Sequence, residues 1–207
     1  DEAPEVVWPN DGERAHYRYV GELLGEQNFV RLSEGGFSEM VIDSLKWLAG
    51  SFSQGGGKRP DVLQRPQSGT IGPDGRIYVT DVSRQAVYVF DTAEGKLSVW
   101  SDTGSTGGFA VPVGVAVLPD GEVLVSDAQL GAVIRLDAAG QPKGFFAAGI
   151  MERPTGLAYD VARDLLYVAD SVAHDIKVFK RDGSFVKRLG SVGVGDGEFN
   201  GPTHLYF

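Results

Sequence analysis

The sequence predicts an all-β protein, a β-propeller of four-stranded blades, and three observations point there. The first is self-similarity: Tyr78–Asp91 (YVTDVSRQAVYVFD), Leu124–Asp137 (LVSDAQLGAVIRLD) and Tyr167–Lys180 (YVADSVAHDIKVFK) align with one another. Their aspartates at 81, 127 and 170 fall 46 and 43 residues apart, within the period of about 40 to 50 residues that propeller blades keep. The second is glycine, 29 of 207 residues spread along the chain with no collagen period, which implies many turns and therefore many short strands. The third is a proline-led apolar run ahead of each aspartate, at Pro66–Ile71, Pro112–Leu118 and Pro154–Tyr159. The first two runs lead into the turns Pro73-Asp74-Gly75 and Pro119-Asp120-Gly121.

The second unit shows how one blade is specified. Val113–Leu118 is almost wholly apolar and reads as an inner strand buried on both faces, with Gly114 and Ala116 small enough to let strands crowd near an axis. Glu122–Ser126 and Ala132–Asp137 set Val123, Val125, Val133 and Ile134 among polar neighbours, the pattern of half-exposed middle strands. Lys143–Ala147 supplies the outer strand. A fourth run, Pro202–Phe207, opens a further unit and stops. Residues 64–207 thus form about three and a half blades.

Residues 1–63 read as an N-terminal extension. Tyr17–Leu24 (YRYVGELL) is a strand-like segment standing alone before the repeats. Residues 38–52 carry Met40, Val41, Leu45, Leu48 and Phe52, with Trp47 nearby, a spacing that predicts an amphipathic helix capped by Ser38 and ended near Gly50. The helix would dock on the propeller's flank or mouth, or else take a partner. Ser53–Lys58 is a glycine-rich link that would give it freedom.

With 42% hydrophobic and 23% charged residues the chain has the profile of a folded protein. A net charge of −9 with no basic stripe repels a phosphate backbone, so nucleic acid is not an expected partner. Lys58 with Arg59, and Lys187 with Arg188, read as solvated charge. No cysteine is present, which removes disulfides, thiolate metal sites and thiol catalysis. No apolar run of about 18 residues exists, so no membrane span is predicted.

No catalytic residue emerges, because no serine-nucleophile motif, HExxH, P-loop or dinucleotide fingerprint is present. Gly104–Gly108 (GSTGG) reads as a link between blades, since no helix follows it to make a phosphate cradle. Asp81, Asp127 and Asp170 recur once per blade at the exit of the second strand, where they are expected to accept backbone N–H groups in turns. The histidines are His16, His174 and His204. His204 takes the place held by Ser68, Gly114 and Gly156, a column expected to line the central channel, where a polar side chain would meet a ligand or metal.

Taken together, the pattern P-x-G-hydrophobic-A, then D-G-x-hydrophobic-Y-V-x-D, then a hydrophobic run ending F-D resembles the NHL-repeat family. The segment Gly190–Pro202 (GSVGVGDGEFNGP), with its Phe199, is similar to that family's glycine-rich link. The resemblance covers Gln64–Phe207. It implies a six-bladed ring, which at about 45 residues per blade needs roughly 270 residues, so either the natural protein continues past Phe207 or a second chain completes the ring. Tyr17–Leu24 resembles the N-terminal outer strand that closes the last blade of such rings. The resemblance also implies protein or peptide ligands, with RNA in some members, which the acidic charge argues against here. Contacts are then expected from the loops Ser83–Gln85 (Arg84 and Gln85), Gln129–Gly131 and Val172–His174, and from Ser68 and His204 at the channel mouth. His174 also holds a place where the family often has Asn-His, a structural role.

The expected function is a non-catalytic binding scaffold with no cofactor. The alternative is a propeller hydrolase or lyase holding Ca or another divalent metal in the channel, which would need several Asp, Glu, Asn or His side chains converging on the axis. Ser68, Gly114, Gly156 and His204 offer few such ligands. A start at Asp1 without methionine, the missing cysteines and the acidic surface point to an exported bacterial protein, periplasmic or at the cell surface.

Overall fold

The computed structural model describes residues 7–8, 17–19, 21–29, 61–104 and 107–206. Twelve strands lie in three four-stranded antiparallel meanders. With the short ladder β1 (Val7–Trp8) and β2 (Tyr17–Arg18) counted first, blade one is β3 (Pro66–Ile71), β4 (Ile77–Asp81), β5 (Ala86–Asp91) and β6 (Lys96–Trp100). Blade two is β7 (Pro112–Val117), β8 (Val123–Asp127), β9 (Ala132–Leu136) and β10 (Pro142–Phe146); blade three is β11 (Pro154–Asp160), β12 (Leu165–Asp170), β13 (Asp175–Lys180) and β14 (Phe185–Leu189). In each the strands pair in chain order, the inner strand breaking register once just after its proline. These are β-propeller blades.

Turn chemistry sets the hairpins. Gly75 and Gly121 hold φ of 81° and 85° in their Pro-Asp-Gly turns, a conformation that a Cβ disfavours. The third blade turns instead through Ala162, Arg163 and Asp164, with Asp164 at φ 56°; aspartate is among the side chains that accept this region.

Alternation along the strands divides each blade's side chains between its two neighbours. Between blades one and two, Tyr78, Val87 and Val89 meet Val115, Val123, Val125, Ile134 and Leu136, with Phe109 buried among them. Between blades two and three, Leu118, Leu124 and Val133 meet Leu157, Leu166, Val168 and Phe179. Most of these side chains are wholly buried, each contributing roughly 1.5–3 kcal/mol. The far face of blade one packs Ala86, Tyr88 and Phe90 beneath Leu23, Phe29 and Leu63, so the N-terminal segment stands there where a preceding blade would.

That segment corrects one expectation. Among the described residues of Tyr17–Leu24, the strand is confined to Tyr17–Arg18, paired with Val7–Trp8. After it the chain bends into a short 3-10 turn at Glu26–Phe29. The Asn28 side-chain oxygen accepts from the amides of Leu24 (2.7 Å) and Gly25 (2.9 Å), while its amide donates to the Glu22 carbonyl at 2.7 Å. Donors that a strand would offer a neighbour are used locally. The helix expected over 38–52 lies outside the described residues.

Candidate functional site

The recurring aspartates sit fully buried at the exits of β4, β8 and β12. Asp81 accepts from the amides of Gln64 (2.5 Å), Arg65 (2.9 Å) and Arg84 (2.9 Å). Asp127 accepts from Ala110, Val111, Gln129 and Leu130 at 2.7 to 3.1 Å, and Asp170 from Glu152, Arg153 and Ala173 at 2.8 to 3.3 Å. Each carboxylate thus ties the approach to its blade's inner strand onto the following hairpin, leaving little acceptor capacity for a metal.

In the first two blades the residue before the aspartate reaches into the next blade. The Thr80 hydroxyl donates to the Val113 carbonyl at 2.6 Å and accepts the Ser68 amide at 3.1 Å. In blade two the Ser126 hydroxyl accepts the Gly114 amide at 2.8 Å and donates to the Thr155 carbonyl. Blade three has Ala169 there, and the Gly156 amide reaches the Thr203 carbonyl directly at 2.8 Å. The Thr155 hydroxyl adds a bond to the Pro202 carbonyl at 3.2 Å.

This arrangement relocates two members of the column expected in the channel. A Cβ on Gly114 would stand 2.3 Å from the Thr155 carbonyl oxygen, and one on Gly156 would stand 2.7 Å from His204 Cα. Gly114 therefore faces the inner strand of blade three, and Gly156 faces the segment Thr203–Leu205. The period of a strand gives which residues share a face, not which face looks at the axis. Ser68 is half-buried, and His204 is exposed with Nδ1 3.0 Å from the Thr203 hydroxyl.

At the hairpin tips, three of four expected contact residues are committed to backbone. Arg84 Nε donates to the Val62 carbonyl at 3.0 Å. Gln85 Nε2 donates to the Ala110 carbonyl at 3.0 Å, and His174 Nδ1 accepts the Gly201 amide at 2.9 Å. Gln85 and His174 hold positive φ of 51° and 54°, the place of Gly131 in blade two. Each thus braces the entry to the following blade. Gln129 is exposed, its amide donating to Asp127.

Two charge clusters escaped the sequence reading. Lys177 Nζ, its side chain 9% exposed, lies 2.9 Å from Asp170 and 2.8 Å from Asp175, both buried. Burial would raise the Asp170 carboxyl, but the Lys177 ammonium and three amides outweigh it and hold it below the usual range. Burial would lower Lys177, and the two carboxylates hold it above its usual value instead. At the other end of the strands, buried Glu122 meets Arg135 Nε at 2.6 Å, with Lys143 and Arg181 each 3.6 Å away. Burial opposes its charge, yet Arg135 and Lys143 keep Glu122 below the usual range. The signal for the first cluster was present, since Asp175 and Lys177 stand where blade two has Ala132 and Ile134.

The surface left open along the inner strands is a groove of about 160 Å³, lined by Thr70, Val115, Val117, Leu157, Tyr159 and Tyr206 among others. Its lining mixes apolar side chains with nearly as much polar surface. Burial and the hydroxyl's bond to Asp164 push Tyr159 up to about 12, so it stays neutral at physiological pH. Among the described residues, no three His, Asp or Glu side chains converge as a metal site would require.

No protein-family model and no curated protein matches the chain. Among solved structures it is similar to virginiamycin B lyase from Staphylococcus aureus, at 16% identity and a TM-score of 0.55, over 70% of this chain and 48% of that one. It is similar to the gluconolactonase XC5397 of Xanthomonas campestris at 22% identity and a TM-score of 0.56, over 71% and 55% of the two chains. A chain of the nidogen/laminin complex matches at 17% identity and a TM-score of 0.52, over 62% and 50%. At these identities the likeness establishes the propeller fold, and the chain spans about half the length of each.

Proposed function

We propose that this chain is the blade-bearing part of an NHL-type propeller that binds a protein or peptide partner without catalysis, anchoring an apolar side chain in the groove along its inner strands. The observation that carries the reading is that groove, where Val117, Tyr159 and Leu205 are partly exposed and Tyr206 fully so, above inner strands whose other apolar side chains are buried between the blades. A groove that mixes apolar side chains with polar groups suits a peptide, whereas a hydrolytic metal needs converging oxygen or imidazole ligands. The interlocked blades supply the rigid support on which recognition depends. The NHL assignment rests on the repeated proline-glycine and aspartate pattern, and the binding role has a parallel in the nidogen/laminin complex among the similar folds.

The test is selection of peptides from a random displayed library on the purified chain, followed by affinity measurement with Val117→Asp and with a surface control, Lys96→Ala. Enrichment of peptides with a large apolar residue, weakened tenfold or more by the Val117 change alone, is the expected result. A stoichiometric divalent metal in native mass spectra, or selected peptides indifferent to Val117, would overturn it.

A further inference from the structure

Asparagine stands at only three places, Asn10, Asn28 and Asn200, and only Asn200 precedes a glycine. An asparagine side chain is attacked most readily by the backbone nitrogen of a following glycine, which has no Cβ to obstruct the approach. Asn200 is exposed and lies in the link between blade three and the segment at Pro202. The nucleophile it would meet, Gly201 N, donates its hydrogen to His174 Nδ1 at 2.9 Å. That distance lies within the reach required of a general base, and an acceptor Nδ1 requires the neutral ring with its own proton on Nε2.

We propose that Asn200 is a site of spontaneous deamidation, with His174 acting as the general base. The Gly201 nitrogen attacks the Asn200 side-chain carbonyl carbon and forms a cyclic imide. Its proton passes to His174 Nδ1 and on to the departing side-chain nitrogen, which leaves as ammonia when the Cγ–Nδ2 bond breaks. Water then opens the imide at either carbonyl, leaving aspartate or isoaspartate at position 200. No oxidant or cofactor is needed, and the only co-reactant is solvent water.

Other glycines in the chain show what is distinctive here. In the Asp-Gly turns the amides of Gly75, Gly121 and Gly183 donate to the carbonyls of Gly72, Leu118 and Lys180, oxygens far too weakly basic to take a proton. Asn28 has its side chain held by three backbone bonds and is followed by Phe29, so it serves as an internal control. The product matters structurally, because isoaspartate inserts an extra backbone atom beside the His174 bond. It would loosen the brace between the third hairpin and the following segment.

The test is incubation of the full chain at neutral pH and 37 °C, with peptide mapping to follow deamidation at Asn200 and Asn28. The comparison is His174→Asn, which tolerates the same positive φ and keeps a side-chain acceptor but supplies no base. Circular dichroism checks that both proteins remain folded, and a synthetic peptide of residues 196–206 gives the rate without the histidine. The expected result is loss of Asn200 in the parent chain ~10-fold or more faster than in His174→Asn, a modest share of what a positioned base contributes, and faster than in the peptide. Asn28 should stay intact throughout. A parent chain no faster than the variant or the peptide would overturn the proposal, since His174 would then be only a clamp on Gly201.

Discussion

The Thr80 hydroxyl stands 2.6 Å from the Val113 carbonyl oxygen and bridges blade one to blade two, while accepting the Ser68 amide from its own blade. Thr80 is fully buried, so this one side chain satisfies polar groups on the inner strands of two blades. Replacing it with the near-isosteric valine should leave a donor and an acceptor without partners, at a cost of about 1–3 kcal/mol. Thr80→Ser keeps the hydroxyl and should lose far less. Urea denaturation of both variants checks this, and equal stabilities would mean that the hydroxyl bridge contributes nothing.

Close approach at the inner strands makes a second prediction. Gly114→Ala places a methyl group 2.3 Å from one backbone atom and 3.0 Å from another in blade three, and backbone cannot rotate away as a side-chain tip can. The blades must part, at a cost of about 1–3 kcal/mol. Gly69→Ala in β3 meets its nearest neighbour at 3.4 Å, so it should be close to neutral. Thermal melting of the pair separates the two cases, and the idea fails if both shift the midpoint alike.

What the sequence made legible follows from where its signals act. Pro-Asp-Gly turns and the aspartate before each hairpin are local, and they placed the four strands of the second blade to within about two residues, the usual scatter at strand ends. The short 17–24 strand went astray because Asn28, four residues downstream, captures the Leu24 and Gly25 amides, a competition that strand propensity does not register. Arg84, Gln85 and His174 could be seen to sit at hairpin tips. Their bonds to Val62, Ala110 and Gly201 span 22 to 27 residues and depend on how one blade meets the next. The groove likewise exists only once three inner strands lie side by side.

The Lys177 cluster offers a sharper test of electrostatics. Lys177→Met would take the nearest cation from the buried Asp170 and Asp175 carboxylates, leaving Asp170 its backbone amides and Asp175 the Arg188 guanidinium at 3.8 Å, and breaking such a pair typically costs about 3–5 kcal/mol. The double variant Asp175→Ala with Lys177→Ile recreates the arrangement at Ala132 and Ile134 of blade two, where Asp127 relies on backbone amides alone. It should recover most of the lost stability. Chemical denaturation decides the matter, for a double variant as weak as the single one would show that uncompensated charge is not the cause.

The same groups contribute to how stability depends on pH, alongside Tyr159, whose raised value adds to the loss above about pH 10. Asp170 and Glu122 have folded-state values below their ordinary ones, so the folded chain binds fewer protons there than the unfolded chain does. Their contribution is complete above the unfolded values, about 3.9 for Asp and 4.3 for Glu, and is lost as pH falls through the lower folded values. Lys177 is shifted upward, so its contribution is complete below about 10.4 and is lost as pH rises through its folded value. A plateau between these limits, falling at both ends, is the expected profile of unfolding free energy against pH. In the Asp175→Ala, Lys177→Ile double variant the alkaline fall should shrink, because the raised ammonium is gone. The acid fall should persist through Glu122, whose partners Arg135 and Lys143 are untouched. Denaturant midpoints measured across the pH range in both proteins check this, and an alkaline limb unchanged by the double substitution would assign it to some other group.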